Sequence, residues 1–89
     1  MSYSFNIRAG AKWEAHTLIQ AELDKVAASQ PLHANDREQA EKVAEIFLAV
    51  LPDDPDQDIA VSMHGSIGSI DGKVSSAGVG ITVSHVARA

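Results

Sequence analysis

The chain of 89 residues contains no cysteine, which excludes disulfides, thiolate metal sites and cysteine nucleophiles. Aromatic side chains are scarce, with one Trp, one Tyr and two Phe, so the core must be built from Val, Ile, Leu and Ala. No stretch approaches the roughly 20 consecutive apolar residues of a membrane span. The first residues alternate polar and apolar, unlike a signal peptide. We therefore expect one soluble domain, residues 1–89, that does not associate with membranes.

Basic residues are also few, and the net charge is −5, which argues against a general nucleic-acid binder. The acidic residues are unevenly placed, since residues 36–58 carry a charge of −6 and the rest of the chain +1. The carboxylates of this segment are those of Asp36, Glu38, Glu41, Glu45, Asp53, Asp54, Asp56 and Asp58. We expect them to form an acidic surface that meets a protein partner with a basic surface.

Residues 59–86 alternate apolar and small polar side chains, which predicts one long β-hairpin with a buried and a wet face. The reversal falls at Asp71-Gly72, a strong turn signal. A two-residue turn would place the apolar faces of the two strands on opposite sides, so a three-residue loop, 70–72, with Gly72 in the left-handed position of a bulge, is predicted. The expected facing pairs are Ile59 with Val83, Val61 with Ile81, Met63 with Val79, and Gly65 with Ala77.

The first residues, 2–9, predict a strand, and helical composition follows from about residue 11 to residue 29. Its apolar face is predicted to hold Ala11, Ala15, Leu18, Ile19, Glu22 and Val26. A second helix is expected to end near residue 51, with an apolar stripe of Ala40, Val43, Ile46, Phe47, Val50 and Leu51. The pattern predicts an α+β fold of order β-α-α-β-β, in which a helical hairpin packs on one face of a three-stranded, mainly antiparallel sheet. The first strand must pair with an edge of the hairpin or with a neighbouring subunit.

Trp13 is the most informative single residue, because helical spacing places it nearly opposite the apolar face of its helix. A tryptophan on a polar helix face is often an anchor for a partner. The alternative is that Trp13 folds over the strand end or the chain near Pro31. The predicted partner-binding residues are Trp13, Glu38, Glu41, Glu45, Asp53, Asp54 and Asp56.

No constellation of residues points to catalysis, and we expect a non-enzymatic protein without cofactor or metal. The four histidines lack ligand spacing. Residues 54–58 resemble the start of a calcium loop, but Ile59 and Gly65 stand where such a loop requires Gly and Glu.

The hairpin is rich in Gly and Ser, and three interpretations of it stay open: a flat surface for a ligand or backbone, a solvated face, or an edge that pairs with another copy. For the third, the predicted oligomer edge comprises Ser66, Ile67, Gly68, Ser75, Ser76 and Gly78, and a homo-oligomer is expected.

Residues 2–9, 23–31 with 36–40, and 51–54 before the Ser/Gly-rich hairpin resemble small phage- and prophage-encoded proteins. The resemblance covers most of the chain and implies a genomic setting, with the protein in the host cytoplasm or in the virion, but no site residues. In that setting, the first hypothesis is an interaction protein that binds a host or phage protein and antagonises a host defence complex. The alternatives are a virion component that assembles through hairpin edges, or an oligomer that sequesters a small nucleotide signal.

Overall fold

A computed structural model describes residues 2–29, 34–70 and 73–88, with the side chains of residues 34–35, 66–70 and 73–77 outside that description. The elements are β1 (Ser2–Ala9), α1 (Lys12–Ser29), α2 (Ala34–Val50), β2 (Gln57–Ile70) and β3 (Lys73–Ala87). The predicted order β-α-α-β-β and the α+β class are confirmed.

The three strands form one antiparallel sheet of order β1-β2-β3, so β2 is central and β1 pairs with the hairpin of its own chain. Period-two alternation places Tyr3 and Ala9 of β1 and Ile59, Val61 and Met63 of β2 on the buried face. Because β1 pairs only with residues 59–66 of β2, the hairpin extends beyond it.

The predicted hairpin register is wrong by two residues. Val61 faces Val83, Met63 faces Ile81 and Gly65 faces Val79, while Ile59 faces His85 and Ala77 faces Ile67. Strand pairing continues to Ile70 and Lys73, so two residues separate the strands and not three. The register shifts between Gly68 and Ser69, where Ser75 of β3 has no opposite residue. This bulge lies within the strands, whereas the bulge predicted at Gly72 falls outside the described residues; it aligns the two apolar faces that a two-residue turn alone would separate.

Both helices cover the same face of the sheet, α1 mainly over β1 and α2 over β3. Each helix buries residues spaced four apart, which is the spacing of one helical face. These residues are Ala15, Ile19 and Leu23 of α1, and Ala40, Ala44 and Leu48 of α2, all at most 2% exposed. Leu18 and Val26 pack at the margin of this core, as predicted. Glu22 was also predicted on the apolar face of α1, but the neighbouring Leu23 is the residue that is buried.

The predicted apolar stripe of α2 is wrong for three of its members. Ile46 is 61% exposed, Phe47 45% and Val50 72%. Ala40 is buried and Leu51 packs at the margin of the core, but Ala44 and Leu48 take the central positions. The helix therefore has two adjacent apolar faces. The face with the smaller side chains is buried, because alanines let the helix backbone approach the sheet and α1 closely.

Ion pairs hold the elements together at both ends of the molecule. Arg37 of α2 binds Asp24 of α1 at 2.6 Å and Glu41 at 3.2 Å, which raises the pKa of Arg37. At the other end, Asp58 accepts hydrogen bonds from Arg88 and Arg8, each at 3.0 Å, and these bonds lower the pKa of Asp58. The arginines thereby join β1, the start of β2 and the end of β3.

Candidate functional site

The groove that best fits a binding site lies where α1 begins and where the chain passes from α2 to β2. Its volume is about 340 Å³. Trp13 forms one side, and the segment of residues 52–55 forms the other. Ile59 and His85, a facing pair on the helix side of the sheet, complete the lining. We call this site the Trp13 groove; its lining consists of residues 10–13, residues 52–55, Gln57, Ile59 and His85.

Local hydrogen bonds fix the acidic side of the Trp13 groove. Lys12 Nζ donates to the carbonyl oxygen of Leu51 at 2.7 Å and pairs with Asp53 Oδ1 at 3.1 Å. Asp54 Oδ1 accepts the backbone N–H of Asp56 at 3.0 Å, and the Asp54 carbonyl accepts that of Gln57 at 3.3 Å. The end of α2 is thus joined to the first turn of α1, and Asp53 and Asp54 line the same groove as Trp13.

Trp13 is 72% exposed, which contradicts the alternative that it folds over the strand end, whereas the chain near Pro31, the other part of that alternative, lies outside the described residues. Its helix geometry explains this, since Trp13 lies about 160° around α1 from Ala15, at 100° per residue. An aromatic side chain of this size exposes roughly 100 Å² or more at such a position, and large exposed aromatics are typical of contact surfaces. Its role in binding a partner stays a prediction.

A second hollow of about 300 Å³ continues the acidic surface between the helices. His16, Ile19 and Gln20 of α1 line one side of it, and Glu41, Ala44 and Glu45 of α2 line the other. Trp13, His16 and Gln20 follow the i, i+3, i+7 spacing of one helix face. The two hollows therefore share one face of α1, with Trp13 at its N-terminal end.

The predicted acidic residues do not form one continuous free surface. Three of them form ion pairs: Glu38 with Lys42 at 3.2 Å, Glu41 with Arg37, and Asp53 with Lys12. Among the described residues, no cation lies within ion-pair distance of Glu45, Asp54 or Asp56. The structure brings Trp13, Asp53 and Asp54 to one groove and Glu41 and Glu45 to the adjoining hollow, whereas Glu38 and Asp56 line neither.

A third hollow, of about 580 Å³, lies where β1 begins beside the hairpin. A Cβ at Gly65 would overlap the Tyr3 ring, and one at Gly80 would overlap the His64 imidazole, so each ring lies across a glycine. Burial, and to a lesser extent the charge of Asp36, raise the pKa of Tyr3. Tyr3 and His64 are the titratable side chains of this lining, and strand alternation places them on opposite faces of the sheet. They cannot act together on one substrate atom.

The predicted oligomer edge is divided by the topology. Ser66 is paired on both sides, with Ser2 of β1 and Gly78 of β3, so it is not at an edge. Ile67 and Gly68 lie beyond the end of β1, and Ser75 and Ser76 belong to the outer strand β3, but the side chains of these four residues are outside the described part. Gly78 is exposed on β3.

In the part of the chain that the structure describes, no group of three or more His, Asp or Glu side chains could hold a metal ion. Neither helix there has the length and hydrophobicity that a membrane crossing requires. The Asp36 Oδ2 atom is buried without a hydrogen-bond donor among the same residues.

Comparison with known proteins gives no relative for this chain: no family model matches it, and no curated protein or solved structure does so at a significant level. The phage setting that the resemblance implies therefore stays a prediction. What the protein does must be argued from its own surface.

Proposed function

We propose that this protein is a non-enzymatic binding module that engages a basic segment of a protein partner in the Trp13 groove. The observation that carries the proposal is the exposure of Trp13, at 72%, in a groove that Asp53 and Asp54 also line. In the phage setting implied by the resemblance, the partner would be a host or phage protein, such as a component of a host defence complex.

The groove offers both contacts that an arginine side chain needs. A guanidinium can stack on the indole face of Trp13, an interaction of about 0.5–2 kcal/mol. The same guanidinium can bind a carboxylate with two hydrogen bonds. Pro52 and Pro55 supply apolar surface for the aliphatic part of the chain. Such a combination of a planar cation and an apolar stem favours arginine over lysine.

The ion pair between Lys12 and Asp53 does not prevent this binding. The Asp53 side chain is 88% exposed, and an exposed pair contributes about 0–1 kcal/mol, so a partner cation can replace Lys12 at low cost. Lys12 would keep its hydrogen bond to the Leu51 carbonyl oxygen and hold the groove in shape.

The adjoining hollow extends the surface to a longer basic segment. Glu41 and Glu45 line it, and Glu45 has no cationic partner among the described residues. The carboxylates of both hollows oppose a phosphate group, so the geometry favours a basic protein segment over the nucleotide that the sequence left as an alternative.

Titration with two matched peptides tests the proposal. One peptide carries arginines between apolar residues, and the other carries glutamates in their place. Trp13 is the only tryptophan, so its fluorescence reports binding at the groove directly. We expect the arginine peptide to change the Trp13 emission, to bind more weakly as salt rises, and the glutamate peptide to have no effect.

Two charge-matched variants separate a specific site from general attraction. Asp53→Lys alters the Trp13 groove, whereas Glu38→Lys changes the net charge equally outside it. We expect Asp53→Lys to weaken peptide binding by about tenfold or more and Glu38→Lys by about twofold or less. Equal losses in the two variants, or an unchanged Trp13 emission, would contradict the proposal.

A further inference from the structure

Helix α2 carries an apolar stripe that its own chain leaves exposed. Val43, Ile46, Phe47 and Val50 follow the i, i+3, i+4, i+7 spacing of one helix face. Val43 is partly exposed, and the other three are 45–72% exposed. Three large apolar side chains on one face form a patch, unlike single hydrophobic residues scattered on a surface.

The stripe lies on the side of α2 that faces away from α1. Glu41 and Glu45 face α1, because they share a hollow with His16 and Gln20. At 100° per residue, Val50 lies about 180° around the helix from Glu41 and about 140° from Glu45. Since α1 covers β1 and α2 covers β3, the side of α2 away from α1 is the side toward the outer edge of β3.

β3 is an outer strand of the sheet, and 15 residues of it, Lys73–Ala87, present one edge to β2. On its other edge, within the described residues, the backbone N–H and C=O groups have no strand partner. A long outer strand of this kind is a template for pairing with another strand. The stripe on α2 and the open edge of β3 thus border the same side of the molecule.

Charge makes a second copy of this chain the occupant that fits. The protein carries −5, yet β3 contains no Asp or Glu, and the four residues of the stripe are uncharged. The contact surface itself therefore carries no carboxylate: Glu41 and Glu45 of α2 lie on the side toward α1, and Glu38, which borders Val43 and Ile46, is paired with Lys42. The other outer strand, β1, lies beneath α1. Among the described residues of β1 and α1, Trp13 is the one large hydrophobic side chain that is exposed, so this side has no comparable stripe.

The exposed area of the α2 stripe also favours a second copy that pairs along β3. The exposed parts of Ile46, Phe47 and Val50 amount to roughly 300 Å², taking roughly 150–250 Å² for a large side chain. A stable interface buries about 800 Å² per partner, so the stripe alone is too small. Strand pairing along β3 adds the missing area and satisfies the open backbone groups.

We propose that the protein forms a two-fold symmetric dimer in which β3 pairs antiparallel with β3 of a second copy and the α2 stripes of the two copies pack together. The sheet then has six strands, with both copies of β1 at its ends. Each α2 contributes the same residues to the contact, as a two-fold interface requires. The Trp13 groove is separate from this interface, so the dimer does not depend on the function proposed above.

The test is the mass of the full chain in solution, measured by light scattering and sedimentation over a wide range of concentration. We expect twice the chain mass at high concentration and a reversible shift to the single chain on dilution. A single chain at every concentration would overturn the proposal and leave the stripe to a partner of another kind.

Two glutamate substitutions at neighbouring exposed positions of α2 provide the matched comparison. Val50→Glu places a charge in the stripe, whereas Ala49→Glu adds the same charge about 100° away on the helix surface. We expect Val50→Glu to raise the dimer dissociation constant by about tenfold or more. Ala49→Glu should change it by about twofold or less, as for an ordinary surface substitution. Equal effects would overturn the proposal.

Hydrogen exchange tests the strand pairing itself. Alternate backbone N–H groups of an outer antiparallel strand point away from its neighbour. In the dimer we expect these β3 amides to exchange slowly at high protein concentration and to lose that protection in Val50→Glu. Protection that is independent of concentration, or confined to β1, would overturn the assignment of β3. The variant Trp13→Ala should dimerise like the parent chain.

Discussion

Gly65 lies beneath the ring of Tyr3, and adding one methyl group there tests the packing of β1 on the hairpin. A Cβ at Gly65 would overlap three atoms of the Tyr3 side chain, which is 8% exposed and stacks on Phe5 with ring centroids 6.2 Å apart. Gly65→Ala therefore forces the ring out of its position. Gly80 provides the comparison, because a Cβ there would overlap the ring of His64 on the open face of the sheet.

The expected cost of Gly65→Ala follows from these contacts. Overpacking a core position costs about 1–3 kcal/mol. Replacing glycine by alanine in a strand returns about 0.5–1 kcal/mol through the unfolded chain. The difference spans about 0–2.5 kcal/mol, and we expect a net loss near its middle, about 1 kcal/mol in the free energy of unfolding, or roughly 4–8 °C in Tm for a domain of this size. For Gly80→Ala the exposed His64 ring can rotate into water, so the same gain should leave this variant as stable as the parent chain or up to about 1 kcal/mol more stable.

Urea unfolding followed by circular dichroism, at one fixed protein concentration, measures both variants. A double-mutant cycle with Tyr3→Val removes the ring that Gly65→Ala displaces. In the Tyr3→Val background, we expect Gly65→Ala to cost less than about 0.5 kcal/mol. An undiminished cost in that background, or an equal cost for Gly80→Ala, would refute the contact between Tyr3 and Gly65.

Three further predictions concern the core and the titrating groups. Leu48→Ala should lower the free energy of unfolding by about 2–5 kcal/mol, because Leu48 is fully buried. Trp13→Ala should change the free energy of unfolding by about 0.5 kcal/mol or less, because Trp13 is exposed. Urea unfolding measures both variants, and equal losses would contradict the assignment of Leu48 to the core. Arg88 and Arg8 bind Asp58 and lower its pKa in the folded state, so its stabilising contribution is present above the unfolded pKa of about 3.9 and is lost as pH falls through the folded pKa. The Tm should therefore fall less steeply with acid pH in Asp58→Asn than in the parent chain. Identical slopes of Tm against pH would contradict this prediction. Burial raises the pKa of Tyr3, the only tyrosine, so its stabilising contribution is complete below about pH 10 and is lost at higher pH. Near-ultraviolet absorbance should show that the phenol ionises at higher pH in the folded chain than in the urea-unfolded chain. Titration curves that coincide would count against the burial of Tyr3.

The order of elements could be predicted from the sequence because residues 2–9 and 59–86 alternate as strands do, and because residues 12–29 and 34–50 contain neither Gly nor Pro and have helical composition. The hairpin register could not, because a three-residue loop and a two-residue connection with a bulge both align the apolar faces. The alternating pattern is the same in the two cases. The bulge at Gly68/Ser69 and Ser75 lies in a segment of small Gly and Ser side chains that favour neither pairing.

The face of α2 was misassigned for a different physical reason. Ile46, Phe47 and Val50 are the larger apolar side chains, and burial was therefore predicted for them. The structure buries Ala40, Ala44 and Leu48, which also fall four residues apart. The equal spacing of these three residues was the signal that could have revealed the second face. Hydrophobic spacing identifies apolar faces, but it cannot say which of two is covered by the rest of the chain and which is open to a partner.

The candidate site was predicted in its residue types but not in its grouping. Helical spacing correctly placed Trp13 away from the core, since the side chain is 72% exposed. The sequence could not show that Lys12 joins the first turn of α1 to Leu51 and Asp53 and so brings the acidic segment to Trp13. It also treated Glu38 and Asp53 alike, although the two lie at different surfaces.

The most direct test of the central claim is a two-dimensional NMR titration of the full chain with the arginine peptide. We expect the largest shifts at the Trp13 indole N–H and at the backbone amides of Asp53 and Asp54, with Glu45 following as the peptide lengthens. Shifts centred on the α2 stripe, or spread evenly over the acidic surface without the Trp13 indole, would contradict it.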